Sequence, residues 1–252
     1  MTYVIKIGGA VVDSPLLLND VLDRCAALDS PFILVHGGGK VATKLAADLG
    51  IEQTMIDGRR VTDAETLRVV TMAYAGLVNK NVVAQLQARG VQCIGMTGAD
   101  ADLVRAHKRN HPTIDFGFVG DVDAVNTDVL ELMLANGISV VVAPLTHDGN
   151  GSLLNTNADT MAARIANAMD ARTMIRLRFI YEHHGVLRNI NDPTSVIDVI
   201  ASSDVDGLIA DGVISKGMVP KITNAVEAAK AGINVRIQHT SALGTEEGTL
   251  VQ

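Results

Sequence analysis

A chain of 252 residues, 48% of them hydrophobic, can bury a substantial core without staples, and none of its apolar runs is long enough to span a bilayer. A net charge of −7, an aromatic content of 3% and the absence of Trp exclude a phosphate-backbone groove with stacking bases, and leave little for a carbohydrate or aromatic-ligand platform. Cys25 and Cys93 sit in apolar segments with no second cysteine or histidine at ligand spacing, so both read as buried thiols. Met1 leads straight into Tyr3-Val4-Ile5-Lys6-Ile7 without a basic, apolar and small-residue leader, and the expectation is a cytoplasmic protein.

Short β-like runs alternate with helical stretches along the chain, the pattern of an α/β three-layer sandwich with a mainly parallel central sheet. Thr2 to Ile7 reads as a strand, Leu16 to Leu28 as a helix and Phe32 to Val35 as a second strand, one β-α-β unit. A helix from about Lys40 to Leu49 and a loop centred on Asp57-Gly58-Arg59-Arg60 follow. Thr62-Asp63-Ala64-Glu65 has capping-box spacing and starts a helix whose inner face carries Leu67, Val70, Tyr74 and Leu77. Val91 to Met96 reads as a strand, and residues 101 to 119 as edge hairpins that suit a lid. Ser139 to Pro144 is a buried-strand run, and His147-Asp148-Gly149-Asn150-Gly151 predicts a hairpin turn. Beyond it come a helix from about Ala158 to Met169, a strand Thr173 to Ile180, a helix near Ser203 to Ala210 and a last helix Val219 to Ala231, ended by Gly232. With no repeat and no linker, the expectation is one domain of two lobes, about 1–170 and 171–252.

Two glycine-rich stretches carry chemistry. Lys6-Ile7-Gly8-Gly9 lies where the first strand turns toward a helix, and His36-Gly37-Gly38-Gly39-Lys40 does the same about thirty residues on. Glycines at such turns let backbone N–H groups approach a phosphate while a lysine offsets its charge, although Gly-Gly after a strand is equally a tight turn. Two such loops at strand ends point to one cleft, because ligands of open α/β sheets bind outside the carboxyl ends of the strands. Neither reads G-x-G-x-x-G, and G-x-x-x-x-G-K-[ST] is missing, which disfavours both a Rossmann dinucleotide site and a P-loop.

These stretches continue in order with Gly58-Arg59-Arg60-Val61-Thr62, Gly117-Phe118-Val119-Gly120, Asn155-Thr156-Asn157-Ala158-Asp159 and Gly217-Met218-Val219-Pro220-Lys221. Over nearly its whole length the sequence thereby resembles the amino acid kinase family, and within it the acetylglutamate kinases. The resemblance implies that ATP phosphorylates the side-chain carboxylate of an N-acylated glutamate in arginine biosynthesis, with acetyl the default acyl group and succinyl the alternative. Carried over residue by residue, it makes Lys6, Lys221, Asp159 and Gly9 catalytic, with Asp159 organising the two lysines. Gly8, Gly9 and Gly38 add N–H donors, and Gly38, Gly39, Arg60, Asn155 and Asn157 hold the acylamino acid. Lys6, Gly8, Gly9, Glu182, Gly212 and Lys221 face the nucleotide. The chemistry suits such a set: a carboxylate nucleophile is already ionised and needs no base, whereas bringing it to ATP demands cations. A guanidinium such as that of Arg60 matches a planar carboxylate, and carboxamides can both donate to and accept from an acylamino group. The plainer readings are a surface ion pair for Arg60, an N-cap for Asn157 and a first-turn acid for Asp159.

Magnesium is implied with the ATP, held by phosphate oxygens and water, since no dense Asp/Glu cluster is present. His36 and His183-His184 have no third ligand at useful spacing and read as hydrogen-bonded or exposed histidines. The match departs at Ile180-Tyr181-Glu182-His183-His184-Gly185, where the family usually has Ser or Thr followed by Asp, and at Lys216, where a glycine is usual. Arg105, Lys108 and Arg109 are candidate cations for a succinyl group, or else a solvated strand face. The chain opens on its first strand without the helical extension of the arginine-inhibited hexamers, so the resemblance implies a homodimer without arginine feedback. A non-catalytic sensor of nucleotide or amino acid is the reading from another class.

Overall fold

The computed structural model describes residues 1–56, 59–214 and 218–252, so Gly58, Lys216 and Gly217 of the motifs above lie outside the described residues. The first half runs β1 (Thr2–Ile7), α1 (Gly9–Asp13), α2 (Pro15–Ala26), β2 (Ile33–His36), α3 (Gly39–Asp48), β3 (Met55–Ile56), β4 (Arg59–Arg60), α4 (Ala64–Thr71), a π-helical turn (Met72–Val78), α5 (Asn79–Ala88), β5 (Cys93–Met96), β6 (Val104–Lys108) and β7 (Gly120–Val125). It continues with α6 (Thr127–Ala135), β8 (Ser139–Val142), β9 (Leu145–His147), β10 (Leu153–Asn155), α7 (Ala158–Asp170), β11 (Ile175–Tyr181), β12 (Val199–Ile200), α8 (Val205–Ala210), α9 (Val219–Lys230), β13 (Asn234–His239) and β14 (Thr249–Val251).

Eight strands form one sheet in the order β12-β14-β13-β11-β1-β2-β8-β5, parallel throughout except where β14 runs against β13. The strand period of two divides each central strand between two apolar layers. On one face Val4, Ile33, Val35, Val140, Val142, Leu177 and Phe179 pack with Met161, Ile165 and Met169 of α7 and Ile222, Ala225 and Ala228 of α9. On the other, Tyr3, Ile5, Ile7, Leu34, Val141 and Ile180 meet Leu18, Val21, Leu22 and Cys25 of α2 and Val82 and Leu86 of α5. Both cysteines are buried, as expected. The same alternation turns Lys6 and Tyr181 toward the α7 face, the first step in assembling the site.

Two details differ from the sequence reading. Asp63, not Thr62, caps α4: its carboxylate accepts from Thr66 N at 2.7 Å, while the buried Thr62 hydroxyl donates to Arg60 O at 3.0 Å. Leu77 is exposed and Val78 buried, because the π-helical turn inserts a residue into the period and moves the inner face on by one position. Residues 101–119 do join an edge hairpin, and β6 and β7 extend it into a second, four-stranded sheet ordered β10-β9-β6-β7.

Arg178 is fully buried in the middle of β11, on the face away from α7. It donates to Asn234 O at 3.0 Å and Asn234 Oδ1 at 2.8 Å, and Glu246 approaches it at 3.4 Å while also pairing with Arg176 at 3.0 Å and Arg236 at 2.8 Å. Burial disfavours the Arg178 cation and brings its pKa down to about 10, against the pull of Glu246. A buried guanidinium deprived of its counter-charge costs the desolvation that the carboxylate offsets. Glu246→Gln is therefore expected to lower unfolding free energy by about 1–3 kcal/mol, the lower end favoured because Glu246 is half exposed. Urea melts at neutral pH measure this, and a variant as stable as the parent would show that the backbone and Asn234 acceptors alone satisfy Arg178.

Candidate active site

Ile7 and His36 are register partners, so the glycine turns that follow β1 and β2 leave the sheet side by side. They touch: a Cβ on Gly37 would lie 3.1 Å from Gly9 N, and Gly37 N donates to Ile7 O at 3.0 Å. Gly38 has φ +155°, and a Cβ there would meet the Tyr74 ring at 3.0 Å, so both backbone conformation and space demand glycine. Gly9, Gly38 and Gly39 stand at the starts of α1 and α3, where the first N–H groups have no acceptor within the helix. Gly8 differs from expectation. Its N–H donates to Ile180 O at 3.2 Å and is taken by the sheet, so its contribution is room: a Cβ would sit 3.1 Å from the Tyr181 ring.

Beneath the second loop, the fully buried His36 has Nδ1 2.7 Å from Gly37 O and Nε2 3.2 Å from Asn79 Nδ2. A carbonyl only accepts, so Nδ1 carries the proton and Nε2 accepts from the Asn79 amide, which also donates to Val141 O at 3.0 Å. The imidazole is thus a neutral strut tying β2, α5 and β8 together, the hydrogen-bonded role expected for it. His183 is half-buried, and the exposed His184 stacks on His239 with centroids 4.7 Å apart.

At the end of β1, Lys6 Nζ lies 2.8 Å from Asp159 Oδ1, both side chains almost wholly withdrawn from solvent. Asp159 belongs to the first turn of α7, whose N-cap Asn157 accepts from Thr160 N at 3.0 Å, so that helix start places the carboxylate. Tyr181 donates its hydroxyl to the same Oδ1 at 2.9 Å. Its ring centroid is 4.9 Å from Lys6 Nζ and 4.2 Å from Lys221 Nζ. Lys221 therefore meets the tyrosine face, and among the described residues it makes no ion pair with Asp159 within 4 Å; the carboxylate pairs with Lys6 alone. Burial first, then the neighbouring Lys6, hold Lys221 below the usual lysine range, partly countered by Asp159 and Glu182.

A cavity of about 420 Å³ opens over Lys6 and Asp159. It is lined by Lys6, Gly9, Gly38, Gly39, Arg60, Asn155, Asn157 and Asp159 from the expected set, and by Arg59, Thr43, Tyr74 and Thr156, which sequence reasoning did not single out. Tyr74 belongs to the helix face that the periodicity marks, and Arg59 and Thr156 stand inside family motifs beside Arg60 and Asn155, whereas no spacing rule marks Thr43. Buried Arg60 donates to Gly39 O at 2.9 Å, Thr43 Oγ1 at 3.0 Å and Gln53 Oε1, which holds its guanidinium against the second glycine loop. Asn155 commits an amide hydrogen to Thr62 Oγ1 at 3.0 Å, whereas Asn157 commits its oxygen to the α7 cap. The free atoms are thus complementary: Asn155 retains an acceptor and Asn157 its donors. Glu182 and Gly212 are exposed and, like Gly8 and Lys221, do not line this cavity. Arg105 pairs with Asp102, Arg109 with Asp121, and Lys108 lies 4.0 Å from the Phe118 ring centroid; none of the three borders the cavity.

The chemistry on offer is charge neutralisation beside an array of main-chain donors, and the one carboxylate lining the cavity among the described residues, Asp159, is already engaged by Lys6 and Tyr181. The model of the amino acid kinase family matches residues 1–239. An acetylglutamate kinase of Bacteroides fragilis is 50% identical over 250 residues, 99% of this chain and 96% of that protein. One from Cytophaga hutchinsonii is 50% identical over 233 residues, 92% of this chain and 88% of the relative. Among solved structures, smu.665 of Streptococcus mutans superposes with a TM-score of 0.83 at 32% identity, over 100% of this chain and 98% of that one. The chain belongs to the amino acid kinase family.

The buried imidazole gives a pH test. Burial, reinforced by the charge of Lys80 and opposed by the Gly37 carbonyl, lowers the His36 pKa from 6.5 to about 4. Between those values the unfolded chain binds the extra proton, so this contribution is complete above pH 6.5 and is lost as pH falls, on the order of 2–3 kcal/mol by pH 4.5. His36→Asn removes the titration. Urea melts at pH 7 and pH 4.5 should show the stability gap between parent and variant shrinking in acid, and a gap independent of pH would refute the neutral-strut assignment.

Proposed function

We infer that the protein transfers the γ-phosphoryl group of ATP to the side-chain carboxylate of N-acetyl-L-glutamate, giving ADP and an acyl phosphate, a step of arginine biosynthesis. The observation that carries the reading is the buried Lys6–Asp159 pair beneath two glycine loops in contact, in a chain half identical to acetylglutamate kinases along nearly its full length. The nucleophile is an anion at neutral pH, so the barrier lies in bringing it up to a charged phosphate, which the ammonium groups of Lys6 and Lys221 offset. Main-chain N–H groups of Gly9, Gly38 and Gly39 stabilise charge on the oxygens in transit, and they are preorganised by the helix starts that present them.

Arg60 takes the α-carboxylate of the acylamino acid. The Asn155 oxygen accepts from the substrate amide N–H, and the Asn157 amide donates to a substrate oxygen. Residues up to about 170 form the acylamino acid side and residues from 171 the nucleotide side, with Glu182 and Gly212 facing adenosine. Magnesium enters as part of the nucleotide substrate: no group of three or more His, Cys, Asp or Glu side chains gathers among the described residues, and Asp159 is already engaged by Lys6 and Tyr181. No step is assigned to a protein-held metal. The resemblance further implies a homodimer, which gel-filtration mass tests, and the cytoplasm is the compartment in which we place it.

Hydroxylamine trapping of the acyl phosphate with ATP and N-acetylglutamate, with N-succinylglutamate and free glutamate in parallel, should give turnover with the acetyl substrate and none with glutamate. Folded protein that binds ATP yet forms no hydroxamate from either acylated substrate would overturn the reading. Lys221→Ala should lower kcat at least roughly 100-fold with a much smaller change in KM for the acylamino acid, because its charge matters most in the transition state. Arg60→Ala should do the reverse, raising that KM roughly 10- to 100-fold. Equal effects on both parameters in both variants would remove the division of labour between the two cations.

A further inference from the structure

We propose that Tyr181 is the positioning residue that holds the two catalytic lysines and Asp159 in one constellation; this rests on the phosphoryl-transfer reading above. The residue lies where the family usually has Ser or Thr, and its contacts reach Lys6, Asp159 and Lys221. Its hydroxyl donates to Asp159 Oδ1 at 2.9 Å, the oxygen that also takes Lys6 at 2.8 Å. Its ring centroid lies 4.9 Å from the Lys6 ammonium and 4.2 Å from that of Lys221, and ring atoms sit 3.1 and 3.3 Å from the position a Gly8 Cβ would occupy.

The physical need is plain. Lys6 and Lys221 repel each other, and the charge of Lys6 adds to the burial that disfavours the Lys221 cation, yet a phosphoryl group in flight requires both. The carboxylate of Asp159 engages one of them. The negative face of a desolvated aromatic ring attracts ammonium groups without adding a full negative charge that would itself repel ATP. A serine or threonine here would retain a hydroxyl but supply no such face. Tyr181 is 3% exposed, and burial first, then Asp159, keep its phenol protonated well above the usual range, so the donor to Asp159 persists at all working pH values. Gly8, just past the end of β1, lies against the ring, and the charge of Glu182, just past the end of β11, adds to the same rise.

Two substitutions separate ring from hydroxyl. Tyr181→Phe retains the face and loses the donor; Tyr181→Leu loses both, and Tyr181→Met, longer and more adaptable in a buried space but equally without a π face, replaces it should the leucine variant fail to fold. Calorimetric titration with ADP should show the non-aromatic variant weakened roughly tenfold and the phenylalanine variant within about twofold of the parent. In the hydroxamate assay Tyr181→Phe should lower kcat roughly fivefold with KM for the acylamino acid unchanged, and that loss should vanish in an Asp159→Asn background, since the hydroxyl acts through Asp159. Equal ADP affinity across parent, aromatic and non-aromatic variants would overturn the proposal, as would a kcat loss undiminished by Asp159→Asn. If the parent itself turned over no acylglutamate, the functional reading would fall, while the ADP titrations would still decide the role of the ring.

Discussion

A lysine and an aspartate withdrawn from water 2.8 Å apart set the terms for this site. Removing two charges from solvent costs several kcal/mol per ion before their attraction is counted, so such a pair is a poor device for stability alone. Under the proposed function its value is different: it presents an anionic substrate and a nucleotide with a cation already desolvated and already aimed. The neighbouring architecture supplies the conditions for the pair. Strand periodicity turns Lys6 to the α7 face, the Asn157 cap begins α7 where its first turn brings Asp159 to Lys6, and the aromatic ring of Tyr181 lies against the ammonium groups of both lysines.

Under the proposed function the two halves of the cavity work by different means. On the transfer side, selectivity is electrostatic and the donors are main chain, held by contact between two turns. On the acylamino acid side, orientation comes from side chains whose spare valences are set by what they already bind: Asn155 by Thr62, Asn157 by its own helix, Arg60 by Gly39 and Thr43. Neutral His36 underlies the second loop and joins three elements without bringing charge near the transferred phosphate, where a cation in the wrong place would compete with Lys6.

Much of this was legible before the structure. The alternation of strands and helices, both glycine turns, and the acids, amides and cations around them stood in the sequence as local patterns with local causes. What escaped detection depended on relations that no window of residues contains. The cap of α4 moved from Thr62 to Asp63 because Thr62 is recruited by the backbone of Arg60 and by Asn155. Leu77 and Val78 exchanged places because a π-helical turn has no signature in hydrophobic spacing. The Gly8 amide was assigned to a ligand when it belongs to the register between β1 and β11. The segment containing Tyr181 was visible only as a departure from the family pattern, since its partners Lys6, Asp159 and Lys221 are scattered along the chain and meet only across layers.

The contact between Gly37 and Gly9 has a consequence for how such a protein diversifies. The floor of the transfer site is made of peptide groups, and peptide groups are identical whatever the gene specifies, so mutation can abolish that floor but cannot retune it. New specificities must be written on the rim, in residues like Asn155 and Arg60 whose side chains vary freely in kind. A lineage built on this scaffold would therefore exchange acceptors more readily by altering side chains at the rim than by altering the two glycine turns, whose contact leaves no room for a side chain.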